Sequence, residues 1–178
     1  MIYIGIILFL LLVGDLALQY YNKWKKKMLS INIKETLEKV GYPLITVENN
    51  GYDAYFLIDT GANSNIINSR VIEDFSYTPV KETGSLLGAE GIRQPGRFVN
   101  FDFKFKNKYN MTDTFLVTDI KGLDVMFNDT EFTVIGVLGI PFLERFGCIV
   151  DFNDLVIYPN YNKTLEYDLL CKQTKNNR

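Results

Sequence analysis

Twenty consecutive residues, Ile2 to Tyr21, carry a single charged side chain, Asp15. An apolar helix of that length spans the hydrocarbon core of a bilayer. A helix apolar on every side has no natural place at the end of a small water-soluble core. Tyr20, Tyr21 and Trp24 fall where an interfacial aromatic belt lies, and Lys23, Lys25, Lys26 and Lys27 stand among and after them. A cleaved signal peptide is the competing reading. It calls for a basic segment ahead of the apolar run and a small-x-small cleavage site, and neither is present. Residues 1–22 are therefore expected to be a single-pass transmembrane anchor, contacting the membrane through residues 2–21. The lysines all lie on its C-terminal side, so the positive-inside rule puts the rest of the chain on the cytoplasmic side. Asp15 is either neutral or near enough to the interface to stay wet.

Residues 23–42 read as a basic juxtamembrane linker. Within it Ser30 is placed to cap a short helix running to Val40, which Gly41 and Pro43 would stop. From Pro43 onward the signals are those of β structure. Pro43 to Glu48 alternates and is rich in branched residues, and Asn49-Asn50-Gly51 is a hairpin turn, because Asn and Gly tolerate positive φ. Tyr55 to Ile58 is a second strand. Phe101, Phe103 and Phe105 alternate with Asp102, Lys104 and Lys106, a half-buried strand of period two. Phe115-Leu116-Val117, Thr133-Val134-Ile135 and Asp154 to Tyr158 complete the series. Pro141 to Phe146 suits a short helix with proline in its first turn. Many short strands with Gly and Asn turns imply an all-β domain over residues 43–160, a closed or sandwiched barrel with one or two short helices. Residues 161–178 are expected to be a C-terminal tail, polar and frayed from Lys172.

Composition narrows the chemistry. There is no histidine, which excludes Ser–His–Asp and Cys–His nucleophile systems and imidazole-based zinc sites. The two cysteines, Cys148 and Cys171, are too few for a four-thiolate metal site or a disulfide framework. Cys148 lies in the apolar run Gly147 to Val150 and reads as a small buried hydrophobe; nothing in the spacing argues that it pairs with Cys171. Nineteen basic against twenty-one acidic side chains leave no basic field to hold a nucleic acid. Carboxylates, hydroxyls, amines and backbone remain, with no cofactor or metal expected.

Among carboxylates, one position stands out. The strand Tyr55-Phe56-Leu57-Ile58 delivers Asp59 to the head of a tight turn of small residues, Thr60-Gly61-Ala62. Taken alone, this is equally a strand ending in ordinary turn chemistry. Downstream, Val137-Leu138-Gly139 leads into Ile140-Pro141-Phe142-Leu143 and on through Gly147 to Phe152. With both segments in view, the chain from about Pro43 to Tyr158 resembles the retroviral-type, single-lobe retropepsin-like aspartic proteases. That resemblance implies a closed acid-protease barrel with Val137, Leu138 and Gly139 threaded behind the turn in support. It also implies a flap that closes over substrate, for which the glycine-rich stretch around Gly88, Ala89, Glu90 and Gly91 is the candidate.

What the resemblance implies for each residue has a physical basis. Water is a poor nucleophile and a peptide carbonyl a poor electrophile. Two carboxyls sharing one proton address both: the ionised one draws a proton from water and the protonated one donates to the carbonyl oxygen. Two such groups a few ångströms apart do not both ionise readily, as is general for aspartic-protease dyads. Thr60 would hydrogen-bond across a pair of turns, and Gly61 would let backbone approach the carboxylates. Ala62 offers no hydroxyl to favour an ionised carboxylate, which points to activity at weakly acidic to neutral pH. The sequence holds one Asp-Thr-Gly; Asp151, in Val150-Asp151-Phe152, lacks the Thr-Gly that would make a second. The second carboxylate must then come from another copy of the chain, in a two-fold homodimer.

The expected function is therefore a membrane-anchored homodimeric aspartic endopeptidase acting on polypeptides through Asp59. Two rivals differ in class. One is a catalytically inactive retropepsin-fold module for dimerisation or peptide binding at the membrane, in which the intact Asp-Thr-Gly has no purpose. The other is a membrane-linked β-barrel scaffold unrelated to proteases, in which replacing Asp59 alters stability at most.

Overall fold

The chain enters its fold through one unbroken helix, α1 (Ile2–Leu29), in a computed structural model that describes residues 2–88, 91–106 and 108–176. The apolar residues of α1 from Ile4 to Leu18 are exposed, and the helix is long and apolar enough to cross a membrane. Its last turn belongs to the folded domain: Leu29 is fully buried in the main core. Residues 23–42, expected as a linker, are the end of α1, strand β1 (Ile31–Asn32) and helix α2 (Lys34–Val40). Ser30 does not cap α2. Its hydroxyl donates to the Lys27 carbonyl at 3.1 Å, and Asn32 Oδ1 accepts the Lys34 N–H at 2.7 Å instead. The stop at Gly41 is as the sequence implies, with φ of 76° in the left-handed region where glycine is favoured.

Strands β2 (Leu44–Asn49) and β3 (Tyr52–Ile58) form the expected hairpin. Its two turn residues, Asn50 and Gly51, have φ of 51° and 88°. Positive φ at both central residues gives a turn whose twist matches that of the strands, hence Asn-Gly. Beyond them run β4 (Ile66–Asn68), a 3₁₀ turn (Ile72–Asp74), β5 (Tyr77–Leu87), β6 (Arg93–Phe105) and β7 (Tyr109–Thr118). Helix α3 (Lys121–Phe127), β8 (Val134–Leu138), α4 (Ile140–Phe146), β9 (Ile149–Asp151), β10 (Val156–Tyr158) and α5 (Tyr161–Asn176) complete the chain.

Sheet order is β2-β3-β8-β4-β7-β6-β5, and β2 also pairs with β6. That extra pairing closes six strands into a ring and leaves β5 outside it, paired with β6 at the edge. The barrel is closed, as its many short strands suggest. Two of its joints are parallel, β3 with β8 and β4 with β7. Inside the ring the alternation of β6 is obeyed. Phe101, Phe103 and Phe105 are buried, while Lys104 on the opposite face donates to Glu48 at 2.6 Å. Phe56, Phe101, Phe103, Phe115, Phe142 and Phe146 form a chain of ring contacts with centroids 4.8 to 6.5 Å apart. Edge and tilted arrangements at these distances suit the ring quadrupoles.

A second sheet, β1-β10-β9, lies where the two ends of the domain meet. Lys26 fastens α1 to it, donating to Asp151 at 2.6 Å and Asp154 at 3.0 Å. Trp24 packs its ring between Tyr21 and Tyr161. Residues 161–176, expected as a tail, are helical because two faces hold them. Asn160 Oδ1 accepts the Asn162 and Lys163 N–H groups at the start of α5, and buried Asp168 accepts from the backbone and side-chain nitrogens of Asn110 on β7.

Candidate active site

Asp59 follows strand β3, which lies between β2 and β8 and whose alternate residues Ala54, Phe56 and Ile58 are buried in the barrel. Leu57 and Ile58 pair in parallel with Val137 and Leu138 of β8, and the ladder runs one step further, with Asp59 N donating to the Leu138 carbonyl at 3.1 Å. The strand then turns sharply. Ala62 N donates to the Asp59 carbonyl at 3.2 Å, closing a four-residue turn, and Gly61 N donates to Asp59 Oδ1 at 2.7 Å. The second oxygen of that carboxylate accepts no hydrogen bond among the described residues. Asp59, Thr60 and Gly61 are exposed, and Ala62 is half-buried. A Cβ on Gly61 would lie 3.1 Å from Asp59 Oδ1, so the glycine gives the carboxylate its room.

Val137, Leu138 and Gly139 run against this turn. Val137 and Leu138 are buried, and the chain crosses the turn backbone at Gly139. Ile140 N donates to the Ala62 carbonyl at 2.9 Å, and Gly139 N to Asn65 Oδ1 at 3.1 Å. There is no room for a side chain at this crossing. A Cβ on Gly139 would sit 2.5 Å from the Ser64 carbonyl oxygen and 2.6 Å from that of Ala62. On β8, a Cβ on Gly136 would sit 2.1 Å from the Ile66 carbonyl oxygen.

Two of the flap candidates, Gly88 and Gly91, sit at the end of the β5–β6 hairpin, where register runs to Leu87 opposite Arg93. Gly88 N donates to the Ile92 carbonyl and Gly91 N to the Gly88 carbonyl, with Gly91 at φ of 77°. Ala89 and Glu90 lie outside the described residues. Leu86 of this hairpin packs on the same apolar cluster as Ala62, so the hairpin leans toward the flank of the Asp59 turn. That cluster, with Leu44, Ile66, Leu123, Phe127, Phe132 and Val137 at its centre, is built largely by the α3 segment. Sequence reasoning missed α3. The i, i+4 spacing of Leu123 and Phe127 was its available signal, though Gly122 inside it weakens the helical pattern. Reasoning from sequence also missed Asn65, six residues beyond Asp59 and nearly devoid of exposure.

Among the described residues no group of three or more His, Cys, Asp or Glu side chains is placed to hold a metal ion. Cys148 is a free thiol, and burial pushes its pKa up to about 12, with Lys163 drawing it slightly back.

A closed barrel, a strand-borne Asp-Thr-Gly-Ala turn and an apolar-apolar-Gly segment crossing behind it define a class. Residues 45–142 match the family described as aspartyl protease, and this chain belongs to that family. Among solved structures, the chain is similar to the EIAV protease in complex with the inhibitor HBY-793. Identity is 21%, the match covers 60% of this chain and 88% of that one, and the TM-score is 0.45. No curated protein matches the chain.

Proposed function

We propose that this protein is a membrane-anchored, homodimeric aspartic endopeptidase whose site is completed by Asp59 from each of two copies. The observation that carries this reading is the setting of Asp59: one carboxylate per chain, exposed at the head of a rigidly backed turn, with one oxygen held by Gly61 N–H. Exposure and a second oxygen with no hydrogen bond among the described residues leave this carboxylate open to meet its twin from another copy, which supports a half-site. In the dimer, one Asp59 carboxylate accepts a proton from the attacking water while its protonated twin donates to the carbonyl oxygen. The tetrahedral diol then collapses as a proton passes to the leaving nitrogen. Positioned proton transfer of this kind contributes about 10²–10⁴-fold to rate. The Lys-rich stretch after the apolar span supports a cytoplasmic protease domain.

The test mixes copies. Full-length protein in detergent is co-refolded from wild type and Asp59→Asn at varied ratios and assayed on an unfolded protein substrate. A dyad shared between copies makes activity fall as the square of the wild-type fraction. Pure Asp59→Asn is expected to be inactive with an unchanged melting temperature. A linear fall would place a complete site in each chain and overturn the dimer. Activity unaffected by Asp59→Asn would overturn the protease reading.

A further inference from the structure

Behind the catalytic turn lies a closed circuit of polar side chains. Asn65 and Asp113 are 2% and 1% exposed, so every polar atom they carry needs a partner within the protein. Asn65 Oδ1 accepts two backbone N–H groups, Gly139 at 3.1 Å and Phe142 at 3.3 Å. Both lie at the start of α4, where a helix leaves its first amides unsatisfied. Asn65 Nδ2 donates to Asp113 Oδ2 on β7 at 3.0 Å. Asp113 Oδ1 accepts from Thr114 N at 2.8 Å and from Arg145 Nη1. Arg145 stands on the last turn of α4, so the circuit returns to the helix it began on.

An amide can be seated two ways, and only one works here. Reversed, its NH₂ would face two N–H donors and its oxygen would face a carboxylate. The charge of Asp113 therefore fixes the orientation of Asn65. Burial pushes the Asp113 carboxyl above the usual range, while Arg145, the Thr114 N–H and the Asn65 amide draw it back. The backbone of Asn65 is held too, its carbonyl accepting Leu116 N at 2.9 Å.

We propose that Asn65, Asp113 and Arg145 are positioning residues for Asp59, clamping the strand that leaves the catalytic turn to the start of α4. This rests on the protease reading for its catalytic consequence and not for the clamp itself. Small displacements of a reacting group cost rate steeply, so the clamp acts on turnover more than on substrate affinity.

The test exchanges the charge and the amide. In full-length protein, Asn65→Asp brings two carboxylates together, and Asp113→Asn removes the charge that orients the amide. The double variant rebuilds the pattern reversed except at the Thr114 carbonyl, which loses its long 3.4 Å bond from residue 65: the carboxylate at 65 accepts from Gly139, Phe142 and the amide at 113, whose oxygen accepts from Arg145 and the Thr114 N–H. Each single variant is expected to lower kcat by about tenfold or more with KM within about twofold, at temperatures where it is folded. Amide hydrogen exchange at Gly139 and Phe142 should quicken in parallel. The double variant should regain both kcat and protection. Single variants that keep kcat and protected amides overturn the proposal, as does a folded double variant that regains neither. Should the single variants not fold, Arg145→Gln, made at the circuit's partly exposed member, is expected to show the same split in milder form, and its absence overturns the proposal. Should wild type itself fail to cleave, the protease reading falls, and the exchange pattern alone decides the clamp.

Discussion

Replacing Gly139 by alanine adds one methyl group at the crossing of the Asp59 turn and the segment behind it. The glycine has φ of −93° and ψ of −169°, which alanine adopts freely, so any effect comes from packing alone. The new carbon would stand 2.5 Å from the Ser64 carbonyl oxygen and 2.6 Å from that of Ala62, where ordinary contact begins at 3.4 Å. Relief requires roughly 0.8–0.9 Å of separation between two backbones in a close-packed interior. A movement of that size takes the Ile140 N to Ala62 O bond, now 2.9 Å, out of hydrogen-bonding range. Overpacking costs about 1–3 kcal/mol, and a lost backbone bond adds about 1 kcal/mol. Together they lower the melting temperature by roughly 4–16 °C for a chain of this size. Because the displaced backbone carries Asp59, kcat should fall by about 100-fold. The assay pairs a thermal melt with cleavage of an unfolded protein, using Gly122→Ala as control. Gly122 lies in α3 with no atom within 4 Å of an added methyl, so that variant should be neutral or slightly stabilising. If Gly139→Ala keeps wild-type melting and turnover, the segment behind the turn does not support it.

Three further outcomes follow from particular groups. Ala62→Ser adds a hydroxyl beside the turn that favours an ionised carboxylate, so the acid limb of the pH–rate profile should move to lower pH. The wild-type profile should peak above about pH 3.5, and an unmoved limb contradicts the argument. With its thiol pushed up to about 12, Cys148 should resist alkylation at neutral pH in the folded protein and react in denaturant, read by peptide mapping; ready labelling in the folded state contradicts this. Lys26, followed by the Asp154 N–H, holds the Asp151 carboxyl below its ordinary value of 3.8. A depressed carboxyl contributes stability above its unfolded value, and that contribution disappears as pH falls through the folded one. Fluorescence of Trp24, the sole tryptophan, should therefore hold steady until pH drops below 3.8, while Lys26→Ala should alter it at neutral pH.

The parts legible in the sequence are those whose signal is local. Asn50-Gly51 declares its hairpin because two adjacent residues fix the turn, and Phe101, Phe103 and Phe105 declare their face through a period of two. Asp59-Thr60-Gly61-Ala62 was readable as a short motif on a strand, and Gly139 as the end of an apolar run. What was not legible depends on partners distant in the chain. Asn65 matters because residues 48 and 74 positions away, Asp113 and Gly139, fold against it, and no spacing encodes that. Helix α5 looks like a polar tail because its anchoring side chains, Thr164 and Asp168, are themselves polar and are buried by pairing rather than by hydrophobicity. Ser30 had the chemistry of a cap but stands one turn too early. Asn32 serves α2 because β1 ends beside it.

The seamless passage of α1 into the domain constrains how two copies can meet. No slack separates the apolar helix from the core, since Leu29 is sealed inside the core and Lys26 is tied to Asp151 and Asp154. In the proposed membrane-anchored dimer, two chains rooted in one bilayer from the same side would be related by a two-fold axis only if that axis stood upright, along the membrane normal. A substrate cleft crossing the axis of the proposed dimer would then run flat, parallel to the lipid surface. An extended polypeptide threaded through it would lie like a rail along the membrane, at a height set by the number of helical turns between Tyr21 and Leu29.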